Sequence, residues 1–289
     1  MIREIQAKVL LTRIRDPNAW FGVRYNLNMY RGCEHQCIYC DSRSECYQIE
    51  DFRDVLVKVN AIELLQRELA GKRVKGVVGS GAMSDPYTYA EERYQLTRRS
   101  LQVMHDRGFG AHLTTKSDRV LRDLDILAQI ARATHASVAM TLTTLDDDLA
   151  AKVEPGAPRP SARLAAMRAL AQAGVTVAVA LMPILPFIED TEANVSAIAR
   201  GAAAAGARYL VPWFAVTLRD RQRAYYYEQL DRHFPGLRER YERRYGEHYS
   251  CPAPNAKALE VRLREVCAEV GLEMGMPGAP PEAEQLPLL

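Results

Sequence analysis

Six short runs of β-branched and other apolar residues exchange places along the chain with stretches of helical periodicity, and this alternation restricts the fold more than any other feature. The runs cover 24–30, 75–81, 110–115, 137–144, 176–182 and 207–215, and the helical stretches lie near 59–70, 91–107, 119–133, 161–173 and 191–205. In the fourth of these, Leu164, Met167, Leu170 and Ala171 recur at three- and four-residue intervals on one face. Gly108 and Gly174 stand where helices end on a left-handed residue. Strand and helix repeated in this way give parallel strands joined by right-handed crossovers. Because the runs are nearly continuously apolar, they suggest a curved parallel sheet or partial barrel covered by helices on its outer side. The expected fold is α/β, a partial (β/α)6 TIM-type barrel with a helical C-terminal extension. The expected boundaries are 1–215 for the barrel, 216–276 for the extension and 277–289 for a flexible, Pro- and Gly-rich tail.

A chain of 289 residues with a formal charge of +2 carries no overall bias towards nucleic acid or anionic membranes. The segment MIREIQAKVLLTRIRDP is broken by charges and lacks the apolar centre of a secretory signal. Gly and Pro punctuate the most apolar window, 169–188, so no membrane span is expected. The expected location is the cytoplasm, where six cysteines serve as thiols, ligands or nucleophiles rather than disulfides.

In a barrel of parallel strands the chemistry sits at the C-terminal strand ends, and the unusual residues fall there. Cys33 to Cys40 follow the first run, Met83–Ser84–Asp85–Pro86 the second and Lys116 the third. Glu154–Pro155–Gly156 follows the fourth, and Pro183 to Pro186 the fifth. Three thiols within eight residues on one loop can converge on a soft metal centre. An iron–sulfur cubane usually takes four cysteines, so one bound here leaves an iron open to a substrate or cofactor. A structural zinc site is the rival reading, with Cys46, Asp41 or His35 as fourth ligand.

Cys33-x3-Cys37-x2-Cys40, with Tyr39 before the last cysteine, resembles the hallmark of the radical S-adenosylmethionine (SAM) superfamily. Asn28-Met-Tyr-Arg-Gly-Cys33, Ser84-Asp-Pro-Tyr87, Thr114-Thr-Lys-Ser117, Arg122-Asp-Leu-Asp125, Thr143 and Glu154-Pro155 are similar to its spore photoproduct lyase-like branch, from about residue 24 to 215. The resemblance implies a 4Fe–4S cluster on Cys33, Cys37 and Cys40, with SAM on the open iron. It implies reductive cleavage of SAM to a 5′-deoxyadenosyl radical that abstracts hydrogen from substrate. It also implies a one-electron reductant of the flavodoxin or ferredoxin type. Tyr39 would face the adenine and Lys116 the SAM carboxylate. Ser84 and Asp85 stand where the superfamily contacts the amino group, but the usual Gly-Gly-Glu is missing. Asp85 reads equally as a helix cap. Thr143 is suited to a polar contact with SAM, and Glu154 is an inward carboxylate.

The lyase has a hydrogen-donor cysteine just before Ser-Asp at the second strand end, where this chain reads Ala82-Met83. That departure argues against photoproduct repair and leaves Cys46 as the candidate thiol donor. Cys267 reads as helix core and Cys251 as more exposed. Residues 219–249 hold eight Arg against six acidic residues, interleaved with tyrosines, a pattern that serves nucleic-acid contact or helix packing. Two functions stay open. One is a radical SAM enzyme acting on a nucleic-acid lesion, a peptide or a small metabolite. The other is a non-catalytic protein in which zinc or a cluster is a structural staple.

Overall fold

The computed structural model describes residues 1–19, 21–52 and 54–275; the tail 277–289 lies outside them. Six parallel strands stand in chain order across one sheet. They are β1 (Val23–Asn26), β2 (Val77–Ser80), β3 (Gly110–Thr115), β4 (Ala136–Thr141), β5 (Thr176–Leu181) and β6 (Tyr209–Pro212). A short antiparallel strand, Thr12–Arg13, borders β1, and a parallel one, Glu273–Met274, borders β6. The sheet is not closed, which makes it the partial barrel expected from the alternation.

Alternation along the strands decides which side each residue serves. Val138 and Met140 of β4 and Val177, Val179 and Leu181 of β5 face outward, into the core beneath the helices. Ala139, Ala178 and Ala180 face inward, where small side chains leave room for Phe21 and Tyr209. There Phe21 stacks on His112 at 4.6 Å. Each fully buried Val or Leu of the outer layer stabilises the fold by roughly 1.5–3 kcal/mol.

The covering helices are α1 (Ala61–Ala70), α2 (Leu96–Asp106), α3 (Leu124–Ala133), α5 (Pro160–Gln172) and α6 (Glu192–Ala204), with the short α4 (Asp147–Val153) at the top of β4. Pro160 opens α5, where a missing N–H costs nothing. Asp146 caps α4 by accepting from the amides of Asp148 and Leu149 at 2.9 and 3.0 Å.

The chain after residue 215 divides in two. Leu259, Leu263, Val266 and Cys267 of α9 (Ala256–Val270) join the outer core of the barrel, and α9 leads into the strand Glu273–Met274. Between β6 and α9, the helices α7 (Asp220–His233) and α8 (Leu237–Tyr245) form a separate apolar cluster with Ile38, Tyr39 and Leu185. Tyr226 and Tyr241 share a hydroxyl hydrogen bond of 2.9 Å there, and Tyr241 donates to the Pro186 carbonyl at 2.8 Å. These two tyrosines are packing residues. Cys251 is fully buried in the same cluster, against the sequence reading, because Ser250–Pro252 pairs with Ala215–Thr217 and turns it inward.

β1 is shorter than the run 24–30. After Asn26 the chain leaves the sheet, and Tyr30–Arg31 joins a small second sheet with Val55–Lys58 and Ile2–Ile5. This sheet grips both ends of the segment 32–54, which holds the clustered cysteines. Gly32, at φ +85°, makes the turn into it. A Cβ there would lie 1.9 Å from the Asp54 carbonyl oxygen, so no other residue fits.

Candidate active site

The loop that carries the clustered cysteines is held from three sides. The Ile38 amide donates to the Val153 carbonyl at 2.9 Å, and the Gly156 amide donates to the His35 carbonyl at the same distance. A Cβ on Gly156 would come within 2.1 Å of the Glu34 carbonyl oxygen, so Glu154-Pro-Gly156 is shaped to receive the loop. From α7, Gln222 donates to the Tyr39 carbonyl at 3.2 Å. These contacts bring Cys33, Cys37 and Cys40 to one wall of a cavity of about 320 Å³ at the C-terminal strand ends. Ser84, Asp85, Lys116 and Thr141 line the facing walls, with Met182, Trp213 and Thr217.

Burial raises all three thiols, and Cys37 is pushed up to about 12. Repulsion from Asp85 and Cys37 adds to the effect at Cys33. Packed soft donors that resist ionising alone are stabilised as thiolates by a bound cationic centre. The donor set therefore fits an iron–sulfur cubane, which takes one thiolate per iron. Of the residues considered for a closed zinc site, His35 and Asp41 line the same cavity but pair with other side chains, and Cys46 lies outside it. Cys46 is exposed on the turn Glu45–Tyr47, accepts from the Ser44 hydroxyl at 3.4 Å and does not line the cavity. Asp41 pairs with Arg219 at 2.7 Å, and His35 lies 3.5 Å from Asp85. Among the described residues, no three His, Cys, Asp or Glu side chains are placed to hold a single metal ion.

Glu154 anchors the charge pattern beneath the cysteines. It is 1 % exposed and pairs with the equally buried Arg163 at 2.5 Å. It accepts a hydrogen bond from the Tyr39 hydroxyl and lies 3.8 Å from Lys116. Burial alone would raise this carboxyl, but Arg163 and Lys116 outweigh it and hold Glu154 below its ordinary value. Burial would likewise lower Lys116, but Cys37 and Glu154 outweigh it, so the ammonium is kept. Tyr39 is fixed through its hydroxyl, and the Lys116 Nζ lies 5.5 Å from the centre of its ring. Arg163 escaped the sequence reading. The available signal was a cation among the buried positions Pro160, Ala166, Met167 and Leu170 of α5.

Neighbouring residues at the end of β2 take different parts. Asp85 accepts from the Tyr87 amide at 2.9 Å, the Thr115 hydroxyl at 2.7 Å and the Lys116 amide at 2.8 Å. It binds the β2 end to the β3 end and sets the direction of Lys116; it caps no helix. Ser84 lines the cavity with its buried hydroxyl unpartnered among the described residues, a polar atom ready for a ligand. Thr143 is not among the lining residues. β4 ends at Thr141, and the Thr143 hydroxyl turns to donate to Glu189 at 2.7 Å. Glu189, also missed, is fully buried and accepts from the Leu185 amide at 3.0 Å, which ties the β4 and β5 ends together.

A three-cysteine loop opening into the top of an unclosed parallel barrel defines a class that comparison with known proteins makes definite. Residues 27–196 match the radical SAM superfamily, and the chain belongs to it. Membership implies a 4Fe–4S cluster and SAM. An uncharacterized protein of Mycobacterium tuberculosis is 33% identical over 97% of this chain and 84% of its own length. An uncharacterized protein of Methanocaldococcus jannaschii is 30% identical over 66% of this chain and 70% of its own. Among solved structures, spore photoproduct lyase with its dinucleoside spore photoproduct superposes with a TM-score of 0.71 at 16% identity, over 94% of this chain and 81% of the lyase. A form of the lyase with bound AdoMet and the same dinucleoside gives 0.70 at 18%, over 94% and 80%. The fold is that of the lyase. Among the described residues, no helix is long and apolar enough to cross a membrane.

Proposed function

We propose that this chain is a radical SAM enzyme that holds its 4Fe–4S cluster on Cys33, Cys37 and Cys40 and uses it to abstract hydrogen from an organic substrate. One observation carries the reading: three thiols of one loop share a cavity with a retained ammonium, Lys116, and an unpartnered hydroxyl, that of Ser84. The cluster and SAM, when bound, supply one-electron reductive cleavage of the sulfonium to methionine and a 5′-deoxyadenosyl radical. The chain's own residues supply position and charge. Lys116 offers a cation to the SAM carboxylate beside anionic thiolates. Glu154 and Arg163 fix that cation from below, and Asp85 fixes it through the Lys116 backbone. Ser84 offers a hydrogen bond to the SAM amino group, and Tyr39 is held against the same wall.

The substrate reading is a nucleic acid. The cavity mouth carries the 39 % exposed Trp213, while Arg219 lies over the rings of Tyr47 and the exposed Tyr249 at 5.7 and 5.1 Å. Exposed aromatics beside a guanidinium suit stacked bases and their phosphates. A one-electron carrier protein in the cell would reduce the cluster.

Anaerobic reconstitution with iron and sulfide, then reduction in the presence of SAM, tests the reading. The expected result is 5′-deoxyadenosine, more of it with single-stranded oligonucleotides than with peptides, and none from Cys37→Ala. Retention of zinc with no SAM affinity after reconstitution would overturn it in favour of a structural metal site.

A further inference from the structure

The cysteine loop has a second face, turned away from the cavity, and it is cationic. The Arg43 Nε donates to the Cys37 carbonyl at 3.4 Å and its NH2 to Gln36 at 2.9 Å, while Gln36 donates to the Cys33 carbonyl at 3.2 Å. Two of the cysteine backbones are thus one side chain away from this surface. The Arg43 guanidinium is sandwiched between Tyr225 at 3.8 Å and Phe52 at 4.7 Å. Two depressions of about 480 and 330 Å³ meet at Arg43 and Tyr225. The half-buried Arg43 and the exposed Arg221 and Arg232 line them, against Glu50 and Asp51. Lys152 is exposed and acts on His233, which lines the first depression. Burial lowers His233, and Arg232 and Lys152 push it further down, a mark of the positive field in that corner.

We infer that this face is the docking surface for an acidic one-electron carrier protein; the inference rests on the radical SAM reading. The chemistry requires one electron per SAM cleaved, taken from a carrier that is itself oxidised by one electron. With SAM and substrate bound in the cavity, the face of the loop turned away from it would be the one left open to a carrier. The face has the two properties such a contact needs. It brings the carrier within a side chain of the ligand backbone, and its charge steers an acidic partner. Steered association changes rates by roughly tenfold to a thousandfold and weakens with salt.

The test uses the reconstituted full chain and two reductants, a reduced acidic flavodoxin and the small anion dithionite. Arg232→Glu and Lys152→Glu are combined; both residues are exposed and stand outside the cavity lining. The expected result is a fall of about tenfold in flavodoxin-driven 5′-deoxyadenosine formation, with the dithionite-driven rate unchanged. Raising the salt should slow the flavodoxin reaction of the unmodified protein and leave that of the variant nearly flat. A flavodoxin rate unaffected by the substitutions would place the carrier elsewhere and overturn the inference. Equal losses with both reductants would show damage to the site rather than to docking, and would also overturn it. Failure of the unmodified protein with both reductants would instead remove the enzyme reading, and this inference with it.

Discussion

Two carboxylates are sealed into the loops that leave neighbouring strands, and the protein treats them in opposite ways. Glu154, beyond β4, meets a guanidinium at 2.5 Å and an ammonium at 3.8 Å, and stays ionised. Glu189, beyond β5, meets a hydroxyl and a backbone amide. Burial raises it well above its ordinary value and so favours its protonated form. The first region is built to hold charge next to the cysteines. The second is built to hold backbone, as a neutral brace between two strand ends. The difference comes from the partners, since the residue type and the depth of burial are the same.

The sharpest way to break the contrast is to remove the cation. Arg163 also donates to the Pro158 carbonyl at 2.7 Å and the Thr141 carbonyl at 3.0 Å, so Arg163→Met strips three acceptors and leaves Glu154 an underpaired buried charge. Such losses cost about 3–5 kcal/mol, read as a lower urea midpoint with an unchanged slope. Adding Glu154→Gln should restore most of that, because a buried pair is worth less than the penalty of orphaning half of it. If the single variant loses less than about 1 kcal/mol, Glu154 is not ionised in the fold and the two regions are alike.

Much of the site could be read from local pattern, because strand ends in a parallel barrel share one rim. Lys116, Ser84 and the three cysteines are each fixed by their position just past a strand. Arg163 and Glu189 were not legible for a physical reason. An Arg within a helix ordinarily snorkels to water, and its partner Glu154 is nine residues back, across a turn that only the tertiary fold closes. Glu189 sits in a Pro-bounded stretch that reads as exposed loop. Thr143 lies outside the cavity lining because β4 ends at Thr141, three residues before the apolar run 137–144 does. Cys46 was near in sequence but faces outward on its turn.

A smaller effect, with a distinctive pH dependence, separates the neutral brace from a charged one. The folded value of Glu189 lies above the roughly 4.3 of an unfolded Glu. Above that value the unfolded chain sheds a proton that the folded chain keeps, so this group makes the protein less stable as pH rises. Glu189→Gln keeps the bond from the Leu185 amide to its carbonyl and replaces the bond from Thr143 with one that its own amide donates to the Thr143 hydroxyl. At pH 5 its cost should be within about 1 kcal/mol. Between pH 5 and 8 the variant should gain on the parent, in urea titrations at matched salt. A gap that stays constant with pH would mean that Glu189 is ionised.

The smallest stability effect expected is at Ser84, and its value is that it isolates binding from structure. Asp85 next door spends its oxygens on the Tyr87 amide, the Thr115 hydroxyl and the Lys116 amide, so any change there disturbs two strand ends together. The Ser84 hydroxyl has no partner among the described residues. Ser84→Ala should therefore leave the unfolding free energy, read from urea titration, within about 0.5 kcal/mol of the parent. A hydrogen bond to SAM worth about 1 kcal/mol would weaken SAM binding roughly fivefold on its loss. Equilibrium binding of SAM to the reconstituted protein measures this without turnover. Unchanged affinity would make Ser84 a bystander and leave Lys116 as the chain's main polar contact to the cofactor. Destabilisation beyond about 1 kcal/mol would place Ser84 with Glu189, among the groups that hold the backbone rather than the ligand.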